Sequence, residues 1–283
     1  MMRMLIFSIA AVIALLGEAR LFASENGENG FGIALPEGVT SHEIMRLVAP
    51  GADSTLATLV GMKKWPYRQN TYIAIVCCAP DREEFKTDTA YGRNCCNAGY
   101  GGFNESANPS QVYLGMVELR EKPVLVAASR GPLKVLTSWE NSNIESEVGK
   151  GDSVSPGIYD LFDFAKYKVS DSQIAFGMRV GWRVMYAGGG GMFYGLMLFM
   201  ARRGEIVNIF SEPIGEEGMS NGEWREDGSR DKNVWGTDNV VILLSKKTNG
   251  YYDIQLREKG GKWKQTFKWN SEANRYCPAE GGP

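Results

Sequence analysis

The side chains best suited to chemistry in this 283-residue chain are a single histidine, five cysteines and a scatter of acids. Catalysis of the Ser–His–Asp or Cys–His kind needs an imidazole that titrates near neutrality. His42 is the only imidazole, and it falls in the first turn of an expected helix, where the backbone dipole disfavours the imidazolium form. It reads as an ordinary surface residue. No G-x-S-x-G, H-E-x-x-H or phosphate-loop pattern occurs. Two acids held about 5–9 Å apart can cleave a glycosidic bond. Asp160 and Asp163, flanking Leu161-Phe162, are one possible pair, and Glu83-Glu84 lies beside Asp81 and Asp88. Spacing along a chain does not fix separation in space, so no catalytic residue is assigned.

The cysteines form two adjacent pairs, Cys77-Cys78 and Cys95-Cys96, with Cys277 apart. Adjacent thiols lack the spacer that lets two sulfurs reach one tetrahedral zinc. In an oxidising compartment they are expected to bridge across as two disulfides, each worth about 3 kcal/mol on the chain-entropy model. The pairing within the set stays open. Residues 227–238 carry oxygen side chains at alternate positions, as a calcium loop does. Lys232 stands where such a loop needs glycine, and Asp238 is shorter than the usual glutamate. A solvated turn is expected there, and no metal or cofactor is implied. Trp65, Trp139, Trp182, Trp224 and Trp235 read as lying in or beside loops. Aromatics on loops of a rigid β scaffold supply recognition surfaces, so Trp65, Trp139, Trp224 and Trp235 are the candidate binding residues. About half of such tryptophans are expected to roof the core instead.

The elements that would position these groups begin after residue 24. Residues 1–24 combine Arg3, a 13-residue apolar run (4–16) and small residues at Gly17, Ala19 and Ala23. That run is shorter than the roughly 20 residues a bilayer span requires, and the pattern is that of a removable secretory signal. The mature chain is then expected in the periplasm or secreted, with no membrane span. The formal charge of −2 offers no basic excess for phosphates, which argues against nucleic acid as a partner.

Thr40-Ser41-His42-Glu43 has the form of a capping box and predicts one short helix over 41–49, ended by Pro50-Gly51. Strands are expected from there on. Residues 71–78 (TYIAIVCC) are a β-branched and aromatic run. Residues 113–126 and 194–207 share a pattern of apolar strand, charged turn and second apolar strand, which predicts hairpins. Two more are expected around Asn249-Gly250 and Gly260-Gly261. Residues 174–180 and 182–187 read as two strands, with Gly188–Gly191 as a flexible connection to the next hairpin. The polar stretch 141–156 marks a linker or a long surface loop, separating an N-terminal β-rich region (25–150) from a C-terminal one (151–283), or lying within one domain. Short strands with frequent turns predict a mainly β fold, an antiparallel sandwich, barrel or propeller-like arrangement with one short N-terminal helix.

Four segments, 159–171 (YDLFDFAKYKVSD), 174–179 (IAFGMR), 249–254 (NGYYDI) and 267–276 (FKWNSEANRY), resemble an uncharacterised group of exported β-rich proteins of Gram-negative bacteria. That resemblance implies an exported β-rich fold and carries no biochemical role. The leader, the cysteines and the missing catalytic set together predict a non-catalytic exported protein with a protein partner. An immunity or inhibitor protein against a toxin acting in the periplasm is one concrete form. A carboxylate-dependent hydrolase of cell-envelope glycans and a structural envelope protein are the alternatives.

Overall fold

A computed structural model describes residues 30–97, 110–144 and 153–279. The leader-like residues 1–24 and the 145–152 part of the polar stretch lie outside them.

The fold is mainly β, with 58% of the described residues in strands. The first helix, α1 (Ser41–Val48), starts where the capping box predicts. Thr40 Oγ1 accepts from the Glu43 amide at 3.2 Å, and the Thr40 amide donates back to Glu43 Oε2 at 3.0 Å. Ile44, Met45 and Val48 form its buried stripe. A second helix, α2 (Arg82–Tyr91), corrects the expectation of a single one. Asp81 caps it through the Glu83 and Glu84 amides, and Gly92 closes it at φ 61°. Asp81, Glu83 and Glu84 are therefore helix-starting charges, while Asp88 is buried towards the other end of the helix.

The strands are β1 (Ala57–Lys64), β2 (Thr71–Cys78), β3 (Gln111–Leu119), β4 (Pro123–Ala128), β5 (Thr137–Ser138), β6 (Ser153–Val154) and β7 (Ile158–Lys168). There follow β8 (Ile174–Tyr186), β9 (Gly189–Arg202), β10 (Glu205–Trp224), β11 (Arg230–Thr248), β12 (Tyr251–Glu258), β13 (Lys264–Asn270) and β14 (Arg275–Pro278). All four expected hairpins form, as β3–β4, β9–β10, β11–β12 and β12–β13. Asn249 and Gly250 take φ 52° and 85° in the β11–β12 turn, the backbone an Asn-Gly hairpin turn demands. The two strands expected over 174–187 are one, β8. Gly189–Gly191 belong to β9, so only Gly188 remains in the turn.

Hydrogen bonding links twelve strands in one branched sheet along β1-β2-β3-β4-β10-β11-β12-β13-β14, while β7, β8 and β9 join through β10. Among the described residues the path does not close on itself, so the architecture is sandwich-like and not a barrel. The β7–β10 sheet is covered on both faces. Met197 and Phe199 of β9 pack in one cluster with Ile73, Ile75 and Leu114 of β2 and β3. Leu196, Leu198 and Met200 pack in another with Ile254, Leu256 and Phe267. Burial on both faces is why this strand reads as an unbroken apolar run rather than an alternation. Strand β2 is similar, with α1 on its second face. Gly115 makes that close approach possible, since a Cβ there would overlap Val48 Cγ2. The first cluster draws residues from both sides of position 150, including Leu59 and Ala127 on one side and Phe162 and Phe176 on the other.

Candidate functional site

The cysteine segment forms one bridge, Cys77–Cys95, with Cα atoms 6.0 Å apart. The second expected bridge is absent: Cys78 is buried and unbridged, and Cys96 is buried without a disulfide. The reason is strand geometry. Neighbouring side chains on β2 point to opposite faces, so Cys77 enters the core between the sheets and Cys78 lies beneath α1. Burial pushes the Cys78 thiol up to about 11. Cys277 is half-buried and unbridged. The bridged loop is tied onward, for the Tyr159 amide donates to Cys95 O at 2.8 Å.

The carboxylate pair separates in the fold. Asp163 Oδ2 accepts from Arg179 at 2.6 Å, and its Oδ1 accepts from the Ala165 amide at 3.0 Å. Asp160 sits at a bulge in the β7–β8 register and is buried. Desolvation lifts its carboxyl to about 6 against the pull of Arg179. One acid is thus committed to an arginine, which leaves the pair without a second available carboxylate. His42 is exposed on α1. The expected solvated turn is present at Arg225–Ser229, but residues 230–238 are strand. Their side chains alternate between two faces and do not encircle an ion.

The tryptophans divide into two groups. Trp65 and Trp139 are core residues, 8% and 6% exposed, and Trp139 meets Trp182 edge-on with centroids 4.7 Å apart. Trp182 is mid-strand in β8 rather than beside a loop, and its indole N–H donates to Ser155 O at 2.7 Å. Trp65 and Trp139 therefore offer no outward surface. Trp224 and Trp235 lie instead on a ribbon of four strands that runs past the core. It is made of the end of β8, the start of β9, the end of β10 and the start of β11.

One cross-strand row of this tongue is apolar throughout: Met185 opposes Gly190, Gly190 opposes Met219, and Met219 opposes Val234. At a strand spacing of about 4.8 Å the row spans roughly 14 Å. Met185, Met219 and Val234 are 52%, 49% and 77% exposed. On the opposite face Trp235 lies across Gly218, where a Cβ would come within 2.5 Å of the ring. At the tip Trp224 is 69% exposed under the Arg230 guanidinium, 5.0 Å from its centroid, and Arg225 pairs with Asp231. Seven acids and three bases fall between Gly215 and Asp238, so this stretch carries −4 against −2 for the whole chain. At its base the Tyr194 hydroxyl donates to Glu217 Oε1. Burial and that bond raise the Tyr194 pKa, helped by the charges of Asp238 and Asp160.

A second feature is invisible in the sequence. Strand β10 pairs with β9 along one edge, while among the described residues its other edge meets β4 only at Glu205 and β11 only from Gly215 onward. In the gap the small β5–β6 sheet approaches, with the Thr137 and Ser211 hydroxyls 2.8 Å apart. A cavity of about 470 Å³ opens there, lined among others by Lys134, Ser138, Asn208, Ser211, Glu212 and Arg275. Glu212 is 8% exposed, and burial pushes its carboxyl up to about 8 while Arg275 opposes the shift. Chain spacing gives no sign of this, because Glu212 and Arg275 lie far apart in sequence.

Among the described residues no helix is long and apolar enough to cross a membrane. No family model, curated protein or solved structure matches the chain.

Proposed function

We propose that this chain is an exported, non-catalytic binding protein that uses the β8–β11 tongue to hold a basic protein. The exposed apolar row of Met185, Met219 and Val234 carries the reading. Contiguous apolar surface rimmed by polar groups marks interaction sites on soluble proteins, and the acidic rim selects the sign of the partner. The same charge disfavours nucleic acid and anionic lipid. Trp224 at the tip is the type of aromatic anchor that dominates interface energetics. An inhibitor or immunity protein against a basic toxin is the concrete form. The Cys77–Cys95 bridge is compatible with action in an oxidising compartment. The hydrolase alternative is less favoured, since Asp163 is occupied by Arg179.

The test is capture from periplasmic extract by the purified chain, in parallel with Met219→Glu and Val234→Glu variants of unchanged melting temperature. The expected result is a basic protein retained by the wild type, released by rising salt and lost from both variants. Retention that is equal in the variants, or no retained protein at all, would refute the proposal.

A further inference from the structure

The cavity beside β10 is independent of the tongue and presents a different chemistry. Glu212 and Arg275 line the same space, yet they form no ion pair. Among the described residues the Glu212 carboxylate has no hydrogen-bond partner, and Lys134 and Arg275 have no acidic partner. Glu212 is the buried member of the three, and burial without a partner keeps it protonated near neutral pH, while Arg275 is half-buried and Lys134 exposed. An acid and a base that share a cavity without touching leave room for a molecule that touches both, and an ammonium brought to Glu212 would favour its ionised form. At about 470 Å³ the cavity falls in the range of roughly 300–1,000 Å³ typical of small-molecule sites. Val135 and Leu136 supply an apolar stretch of wall, and Ser138 a hydroxyl.

We infer that this cavity binds a small zwitterion, an amino acid or short peptide with both ends free, its ammonium on Glu212 and its carboxylate toward Arg275 and Lys134. A simple anion would leave Glu212 unmatched, and a simple cation would face the two bases. Among the described residues Glu212 is the only acid on the wall, so they supply one carboxylate and not the pair that glycoside cleavage uses. The site is a receptor for charge at both ends of a ligand.

Calorimetric titration of the purified chain with alanyl-alanine, N-acetyl-alanyl-alanine and alanyl-alanine amide tests this. The free dipeptide is expected to bind saturably, and each capped form at least tenfold more weakly. Glu212→Gln is expected to bring the free dipeptide down to the affinity of the acetylated one, and Arg275→Gln to that of the amide. The capped ligands probe the wild type directly, so the test holds even where a variant folds poorly. Absence of saturable binding at about 10 mM, weaker than any millimolar site, or a capped form that binds as tightly as the free dipeptide, overturns the inference.

Discussion

Replacing Glu212 by glutamine reports on the unusual environment of β10 through the pH dependence of stability. In the unfolded chain this carboxyl titrates near 4.5, and in the fold burial moves it to about 8. Between those values the folded protein holds a proton that the unfolded chain has released. Stability therefore falls as pH rises through that window; the loss is absent below 4.5 and complete above about 8. Holding one extra proton costs about 1.36 kcal/mol for each pH unit crossed, so the wild type loses about 4 kcal/mol between roughly pH 5 and pH 9. Glutamine keeps the shape and carries no titrating proton, and the other charged wall residues, Lys134 and Arg275, are retained. Asp160, raised to about 6 by burial against the pull of Arg179, titrates in both proteins and cancels in the difference. At about 2–4 °C per kcal/mol for a chain of this size, the melting temperature of Glu212→Gln should pull ahead of the wild type by about 8–16 °C over that range. Thermal melts at half-unit pH steps measure it. Parallel curves for the two proteins would refute the reasoning, because they would mean that Glu212 titrates alike in both states.

Three further outcomes follow from packing and chain entropy. Cys95→Ser removes the Cys77–Cys95 bridge and should cost about 3 kcal/mol, with reductant lowering the wild-type melting temperature and leaving the variant unchanged. Gly115→Val drives a side chain into Val48 and should destabilise by about 1–3 kcal/mol, read by denaturant titration. Thr40→Ala loses the side-chain arm of the capping box and should cost about 1 kcal/mol by the same measurement.

Local chemistry determined what the sequence could reveal. The Thr40–Glu43 box sets the start of α1, and Asn249-Gly250 sets a turn because few other dipeptides accept two positive φ values. The apolar runs set the hairpins, since backbone pairing follows directly from adjacent strands and a short turn. Helix α2 has local signals too, with Asp81 as N-cap and Gly92 beyond the end. Its one buried residue is Asp88, so it lacks the apolar stripe by which periodicity discloses a helix.

The remainder depended on which surfaces meet across long stretches of chain. Strand alternation sends Cys77 and Cys78 to opposite faces of β2, and tertiary packing decided that the sheet core meets one and α1 the other, so a single bridge formed where two were expected. It buried Trp65 and Trp139 and left Trp224 and Trp235 outside, although all four look alike in sequence. It also brought Arg275 of β14 to Glu212 of β10 at an edge that β4 and β11 leave unpaired. A residue's type sets what its side chain can do, but burial and neighbours set what it does, and both are properties of the assembled sheets.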